Sequence, residues 1–285
     1  YTLDAIWKHI ARCARVCYQS TPKYTGEDDY GFLVRTLFRG DEPKDINTKD
    51  LVKYHLSVCE HATVHLKYPL IVSQAAARVS RFIHNPYSRV RECNGCIYVT
   101  TNMRVLIEHH WMNELEFIDT TPNCLHYNER TTINFTTDIG TSRELNRHRC
   151  HSVSEESTRY CRYNADKFGN NITVAKLPWI PYVNHDDVSS DYSDGFYNDD
   201  EIYYDGIIRD KYAVNWTAID WFLYGLQIAN LVYCKCIELG WTAQQAREIL
   251  PLNTKTQVVH TAFVDDWQHF IDLRSNGVSG VPHPM

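Results

Sequence analysis

The sequence predicts a mixed α+β fold, in which a β-sheet core is flanked by helices. Segments with a helical spacing of apolar residues and segments rich in β-forming residues both occur, and they do not alternate in a strict strand–helix–strand order. The 285 residues are 44% hydrophobic and 22% charged, which is typical of globular proteins and excludes a disordered, collagen-like or coiled-coil chain. We expect a single domain over residues 1–285.

Four elements are predicted in the first part of the chain. From Leu3 to Ala14, apolar residues recur at the spacing of a helix. A second helix is expected at about Thr48, whose side chain would cap it. Residues 62–69 and 96–105 are rich in β-forming residues, so each predicts a strand.

A strand and a capped helix are predicted next. Residues 132–139 alternate between polar and apolar side chains, which indicates a strand, and Gly140 would end it. Residues 141–144, Thr-Ser-Arg-Glu, match a capping box. A helix is therefore expected to begin there and to run through residues 147–149.

Three more helices are predicted in the last third of the chain. A long one covers about residues 214–239, and Gly240 suits the left-handed position after its end. A second capping box at residues 242–245 opens a short helix that Pro251 ends. The last helix is expected over residues 257–273.

Charge is distributed unevenly along the chain. The net charge is −6, and residues 184–206 alone contain eight acidic side chains and no Lys or Arg. Without that −8 the remainder carries +2, so the segment predicts an exposed acidic loop. A chain that is acidic overall is a poor candidate for binding nucleic acid.

The sequence also predicts the compartment. No apolar run approaches about 18 residues, so neither a transmembrane helix nor a membrane partner is expected. The first residues have neither the basic nor the apolar segment of a secretory signal. The ten cysteines are irregularly spaced, and we interpret them as reduced thiols of a cytoplasmic protein.

The densest polar cluster is residues 147–160, which contain three Arg, two His and three Ser. Arg suits two-pronged binding of phosphate or carboxylate, and Ser and Thr hydroxyls add phosphate ligands. The alternative is a solvated, salt-bridged surface, although such a surface has no need of the serines and histidines. Residues 55–61, 247–253 and 267–274 are weaker signals, since helix-end arginines and a structural Glu–His pair also explain them.

Together these segments resemble the flavin-dependent thymidylate synthases. Arg-His-Arg at residues 147–149, followed after seven residues by Ser157, is similar to the signature of that family. The longer form of the signature continues as Ser-Thr-Arg-Tyr at residues 157–160. Further segments that resemble the family are residues 14–16, the pattern His-x-Ser-x-x-Glu-His at 55–61, residues 246–253 and Leu-Arg at 273–274.

The resemblance implies an enzyme that converts dUMP to dTMP. In this family 5,10-methylenetetrahydrofolate donates the carbon, NADPH reduces a bound FAD, and the reduced flavin supplies the hydride. The resemblance further implies the family's own fold and a homotetramer whose active sites are shared between subunits. The chain lacks a Pro-Cys dipeptide, the context of the nucleophile in the other type of thymidylate synthase, so no covalent bond from the enzyme to uracil is expected.

The resemblance also assigns individual residues. Those implied to contact FAD are His55, Ser57, Arg147, His148, Arg149, Glu155 and His269. Those implied to bind dUMP are Glu144, Arg147, Glu155, Ser157, Thr158, Arg159, Arg247 and Arg274. Arg274 is implied to be catalytic, because its guanidinium would face the uracil and favour loss of the N3 proton, which makes C5 a better nucleophile.

The chain departs from the family in several places. Glu144 stands where Gln is usual, Ser154 where Asn is usual, and Phe263 and His269 where two Asn residues usually touch the flavin. Residues of about 70–130 are an insertion relative to shorter members, and the acidic loop is also extra. These departures bear on the flavin contacts and leave the class unchanged.

Other functions are also considered. A relative that binds flavin and nucleotide without methylation is opposed by Arg274, Ser157 and Arg159. A non-catalytic nucleic-acid-binding module would use the basic segment at residues 87–91, which is short. A metal hydrolase or a zinc site would need more ligands than Cys93-x-x-Cys96 and scattered histidines supply, so no metal is expected.

Overall fold

The computed structural model describes residues 2–20, 28–71, 75–123, 125–179, 217–278 and 280–281. The chain divides into two compact units, one of Tyr1–Cys161 with Thr256–His283 and one of Arg162–Lys255 with Pro284–Met285. The expected acidic loop at residues 184–206 lies outside the described residues. That the chain is a single domain stays a prediction.

Helices and strands are interspersed along the described chain, so the predicted α+β fold class is confirmed. The α-helices are α1 (Leu3–Tyr18), α2 (Asp29–Thr36), α3 (Ala75–Ile83), α4 (Met103–Glu108), α5 (Ile139–Leu145), α6 (Ala218–Glu238), α7 (Ala243–Ala246) and α8 (Val264–Arg274). The strands are β1 (Thr63–Pro69), β2 (Arg89–Cys93), β3 (Cys96–Asn102), β4 (Arg130–Asp138), β5 (Ser152–Glu155) and β6 (Lys255–Phe263). Within the described ranges, no helix combines the length and the apolar character needed to cross a membrane.

The first sheet has the strand order β1-β3-β2, and both pairings are antiparallel. Asn94 and Gly95 join β2 to β3, and both have positive φ angles, 50° and 71°. A two-residue turn with this conformation matches the twist of hairpin strands and favours Asn-Gly. The predicted insertion thus supplies two of the three strands of this sheet.

The main core lies against the first sheet. Val64, Leu66 and Tyr68 alternate along β1 and are buried, as expected for a strand with one face toward the core. Ile10 of α1 and Leu33 of α2 belong to the same core. The predicted N-terminal helix and the first predicted strand are therefore confirmed.

The second sheet has the order β4-β6-β5, with β6 in the centre. Residues 258–263 of β6 are all buried, because neighbouring strands and packed elements cover both of its faces. Helix α8 contributes Trp267 and Phe270 to a small core that also contains Leu145 and Val258. This sheet and α8 support the polar residues described below.

The prediction of one helix over residues 257–273 is wrong, because its first part is strand β6 and α8 begins only at Val264. The β-branched Val258, Val259 and Thr261 fit a strand buried on both faces, and short apolar runs of this kind do not separate strand from helix.

The predicted start and end of the helix after β4 are also wrong. Asp138, and not Thr141, is the N-cap of α5, and its carboxylate accepts a hydrogen bond from the Thr141 backbone N at 2.6 Å. Gly140 consequently lies inside the helix. The helix ends at Leu145, so residues 147–149 lie in a turn.

Two smaller expectations in the first unit also change. A 3-10 helix occupies Thr48–Lys53, with Asn47 as its N-cap in place of Thr48. The strand predicted over 96–105 ends at Asn102, whose side chain accepts from the Val105 N and caps α4.

In the second unit, the predicted position of Gly240 and the second capping box are confirmed, whereas α6 begins later than predicted and α7 ends at Ala246, before the expected end at Pro251. Helix α6 begins at a capping box of Thr217 with Asp220 and is shorter than predicted. Gly240 follows it with a φ of 97°. The capping box of Thr242 with Gln245 opens α7, as predicted.

Candidate active site

The predicted Arg-His-Arg segment forms the turn between α5 and β5. Its three side chains point to different environments: His148 is buried, whereas Arg147 and Arg149 are exposed. The His148 ring packs 4.6 Å from the ring of Phe270 on α8. The turn therefore anchors itself through the imidazole and presents two cations to solvent.

Arg274, in the last turn of α8, binds this turn directly. Its Nε donates to Nε2 of His148 at 3.0 Å, and its Nη2 donates to the backbone oxygen of Glu144 at 2.5 Å. Because a guanidinium only donates, Nε2 of His148 must accept, and the imidazole is neutral with its proton on Nδ1. Burial and the nearby Arg274 cation lower the pKa of His148 to about 4, which agrees with that assignment.

Glu144 places a carboxylate between two of the predicted substrate arginines. Its Oε2 lies 3.4 Å from Nη1 of Arg147 and 3.6 Å from Nη1 of Arg274. The side chain of Glu144 is 43% exposed, so water screens both ion pairs. Three of the predicted dUMP residues thus lie together at one end of α5.

Glu155 has a different position from the other predicted ligands. Its carboxylate accepts hydrogen bonds from Ser142 Oγ at 2.6 Å, Asn146 Nδ2 at 3.1 Å and Thr256 Oγ1 at 3.3 Å. These donors come from α5, the following turn and β6. Glu155 therefore ties these parts together, and its predicted contacts with dUMP and FAD stay predictions.

A second group of predicted residues lies in the turn after β5. The Ser157 backbone N donates to the carbonyl of Cys17 at 2.9 Å, which fixes the turn against α1. Ser157 and Thr158 are half-buried and Arg159 is exposed. Tyr160, whose ring lies 5.8 Å from the Arg159 guanidinium, completes this group.

His55 joins the second group and not the Arg-His-Arg turn. Its Nε2 accepts from Arg39 Nη2 at 2.6 Å, so its Nδ1 carries the proton and donates to the Tyr18 hydroxyl at 3.2 Å. Burial and the Arg39 cation lower the pKa of His55. The Tyr18 ring in turn lies 5.9 Å from the Tyr160 ring. Sequence reasoning missed Arg39, whose positive φ of 56° no local signal indicates.

The remaining predicted FAD residues are exposed. Ser57 lies on the 3-10 helix Leu56–His61, and His269 lies on α8. The His269 ring is 6.4 Å from the His148 ring. His269 thus borders the first group, and its contact with flavin stays a prediction.

Arg247 belongs to the second unit. It begins the 3-10 helix Arg247–Ile249, and its Nε lies 3.4 Å from Oε1 of Glu248. Its predicted role as a dUMP ligand stays a prediction.

Two of the departures from the family pattern lie inside the protein. Ser154 is buried on β5 and hydrogen-bonds the Cys17 thiol. Phe263 is buried at the end of β6, under the guanidinium of Arg89. Both side chains are therefore used in packing.

Buried histidines behind the site were also missed. His260 on β6 is fully buried and shares a hydrogen bond with His151 at 3.1 Å. His61 shares a hydrogen bond with Thr261 Oγ1 at 2.8 Å. Among the described residues, the Nε2 atoms of His260 and His61 have no hydrogen-bond partner. Burial lowers the pKa of His260 to about 4 and that of His61 to about 3, so both are neutral near pH 7. The misassigned strand β6 is the reason that His260 was not expected here.

Metal ligands were considered in the same way. In the part of the chain that the structure describes, no three His, Cys, Asp or Glu side chains are placed to share a metal ion. Cys93 and Cys96 are free thiols that face each other across the β2–β3 hairpin.

Comparison with known proteins identifies the family. The model of the thymidylate synthase complementing protein family, Thy1, matches residues 128–278. A crystal structure of the UMP/dUMP methylase PolB from Streptomyces cacaoi, bound with 5-Br dUMP, is 21% identical over 54% of this chain, with a TM-score of 0.33. This chain spans 59% of that protein. No curated protein matches the chain. The family match covers more than half of the chain and includes both groups of site residues except His55 and Ser57, so the chain belongs to the thymidylate synthase complementing protein family.

Proposed function

We propose that this protein is a flavin-dependent thymidylate synthase, which reductively methylates dUMP to dTMP. In this proposal 5,10-methylenetetrahydrofolate donates the carbon and NADPH reduces a bound FAD. The observation that carries the proposal is the contact of Arg274 with His148 and with the Glu144 carbonyl, since it joins residues far apart in the chain into the predicted constellation. Family membership over residues 128–278 supports the same conclusion.

The residues at the Arg-His-Arg turn fit FAD by charge. FAD carries a diphosphate, and Arg147 and Arg149 offer two exposed guanidinium groups, of which Arg147 is 74% exposed. His148 is buried and neutral, so it positions the turn without adding a third charge. FAD, when bound, supplies the hydride that reduces the transferred carbon.

The turn after β5 suits the phosphate of dUMP. Its hydroxyls on Ser157 and Thr158 and the exposed guanidinium of Arg159 are the donor types that phosphate takes. The hydrogen bond from the Ser157 N to the Cys17 carbonyl holds the turn rigid before substrate arrives. We propose that this turn binds the phosphate end of the nucleotide.

Arg274 would stabilise the charge that develops on uracil. Two of its donors are already used, Nε by His148 and Nη2 by the Glu144 carbonyl, so its orientation is fixed. Its side chain stays 28% exposed, which leaves the guanidinium reachable by a ligand. A fixed cation near the ring favours loss of the N3 proton and makes C5 more nucleophilic.

Thiol chemistry supports a mechanism without an enzyme nucleophile. Cys150 directly follows the Arg-His-Arg turn, and burial raises the pKa of its thiol. Burial also raises the pKa of Cys17, which adjoins Ser157 in space, to about 11. Both thiols are therefore mostly protonated at neutral pH, and a protonated thiol is a weak nucleophile.

The test is dTMP formation by the purified protein with FAD, dUMP, NADPH and methylenetetrahydrofolate. Arg274→Ala is expected to lower kcat by about 100-fold or more, the size seen when a preorganised electrostatic group is removed. Arg143→Ala is the matched control, because Arg143 is an exposed arginine on α5. A wild-type protein that binds neither FAD nor dUMP would refute the proposal.

A second candidate is a flavin- and nucleotide-binding protein without methylation activity. The Glu144 carboxylate at 3.6 Å from Arg274 favours it, because a negative charge there reduces the field that uracil would feel. In that case NADPH would reduce the bound FAD, but no dTMP would form. The homotetramer with shared sites and the cytoplasmic location remain further parts of the proposal, and light scattering of the purified protein tests the former.

A further inference from the structure

One guanidinium joins the first sheet to helix α8. Arg89 lies on β2, opposite Thr100 of β3, and is 30% exposed. Its Nη1 is 2.5 Å from Oδ2 of Asp265, and its Nη2 is 3.3 Å from Oδ2 of Asp266. Its Cζ also lies 3.9 Å from the centre of the Phe263 ring. Arg89 thus touches three of the four residues at the start of α8.

The start of α8 has no side-chain cap of its own. Phe263 is the N-cap residue and cannot accept a hydrogen bond through its side chain. The negative charges of the two aspartates in the first turn are stabilised by the helix dipole. Each aspartate also accepts a hydrogen bond from a different nitrogen of the Arg89 guanidinium. Arg89 therefore ties the first turn of the helix to the hairpin.

The opposite end of α8 carries Arg274. At about 1.5 Å per residue, Asp265 and Arg274 lie roughly 14 Å apart along the axis. A helix of this length is stiff, so a shift of its first turn also moves its last turn. Trp267 limits rotation of α8 about its axis, because its Nε1 donates to the Thr131 carbonyl at 3.0 Å. The Val264 backbone N also donates to the Glu129 carbonyl at 3.1 Å, and Arg89 adds a side-chain anchor at this first turn.

We propose that Arg89 is a positioning residue that holds α8 so that Arg274 stays aligned with His148 and the Glu144 carbonyl. Arg89 lies outside residues 128–278, whereas α8 lies within them, so the anchor comes from a part of the chain that the family model does not cover. The inference gives the insertion a role in catalysis. It rests on the proposed function of Arg274.

The test compares Arg89→Ala and Arg89→Lys with Arg91→Ala. Arg91 is the matched control on the same strand, and its guanidinium donates to the Leu125 carbonyl at 2.9 Å. At saturating dUMP, Arg89→Ala is expected to lower kcat by about three- to tenfold with KM for dUMP within about twofold, since exposed ion pairs are individually weak. The kcat of Arg89→Lys should lie between those of the wild type and Arg89→Ala, because lysine keeps the charge but cannot bind both aspartates in a planar, two-pronged way.

The salt dependence of kcat distinguishes loss of the Arg89 ion pairs from a general loss of stability. Raising the ionic strength from about 0.05 M to about 0.5 M should lower the wild-type kcat and leave that of Arg89→Ala nearly constant, because salt screens an ion pair that the variant lacks. If Arg89→Ala keeps the wild-type kcat, or if Arg91→Ala loses as much, the inference is wrong.

Hydrogen exchange separates this inference from the proposed function. In Arg89→Ala, the amides of residues 267–274 should exchange at least about threefold faster than in the wild type and in Arg91→Ala, since opening of the helix becomes easier. If exchange responds but the wild type makes no dTMP, the anchor stands and the proposed function fails. If exchange in α8 is unchanged, the inference is overturned whatever the activity.

Discussion

The two sheets of the first unit differ in what they bury. The first sheet lies entirely before residue 128, outside the family match, and its strand β1 presents Val64, Leu66 and Tyr68 to an apolar core. The second sheet lies within the match, and its central strand β6 buries His260, Thr256 and Thr261. The comparison teaches that this chain places most of its apolar burial against one sheet and the proposed site beside the other.

The largest expected effect is a loss of folding stability caused by a substitution in the first sheet. Leu66→Ala should destabilise the protein by about 2–5 kcal/mol, because it removes a fully buried side chain from a packed core. Lys67→Ala, an exposed neighbour on the same strand, is the control and should change stability by less than about 0.5 kcal/mol. Urea unfolding measures both, and a small loss for Leu66→Ala would show that the first sheet is not the main source of stability.

The second prediction concerns acid and the buried histidines of the second sheet. His260 has a folded-state pKa of about 4 against an ordinary value of 6.5, so the folded state resists protonation. The stability from keeping it neutral is present above pH 6.5 and is lost as the pH falls toward 4. His61, with a pKa of about 3, acts in the same direction.

We expect each of these two histidines to remove about 2–4 kcal/mol of stability between pH 7 and pH 4. Urea unfolding of the wild type and of His260→Gln across this range measures the effect. The variant should be less stable at pH 7 but should lose less on acidification. Equal pH dependence in the two proteins would contradict the folded-state pKa of His260.

The third prediction, with the smallest effect, sharpens the description of the second sheet's site. Glu144→Gln removes the carboxylate that lies between Arg147 and Arg274, and the amide keeps the side-chain shape. The affinity for anionic dUMP should rise by about three- to tenfold, since Arg147 and Arg274, both proposed dUMP ligands, lose a competing negative charge. Calorimetric titration with dUMP checks this, and Glu238→Gln, an exposed acid on α6 that pairs with Lys235, serves as the control.

Local signals were sufficient for much of this architecture. The helix from Leu3, the capping box at Thr242 and the left-handed Gly240 depend on interactions within a few residues, so the sequence displays them directly. The spacing of residues 147–157 likewise indicated the family, because a motif of fixed length is a property of the chain itself.

The errors have physical causes that lie elsewhere in the fold. Residues 257–263 form a strand that was predicted as helix. Burial on both faces of a strand removes the alternation of polar and apolar residues, so the pattern did not separate strand from helix. Asp138 is the N-cap in place of Thr141, because both residue types can cap a helix and they lie only three residues apart. The contacts of Arg39 with His55 and of Arg89 with Asp265 join distant segments, and no local pattern contains them.

Strand β5 lies within the seven residues that separate Arg149 from Ser157, and its length sets the distance between the turns at its two ends. It has only four residues, about 10–13 Å at 3.3 Å each, and it separates a cationic turn at one end from a hydroxyl-bearing turn at the other. Adding one residue to β5 would turn the side chains that follow it to the opposite face of the sheet. Adding two would restore the face but lengthen the strand by about 7 Å. In the proposed function, the gap between the arginines and Ser157 therefore sets the distance between the turn for FAD and the turn for the dUMP phosphate.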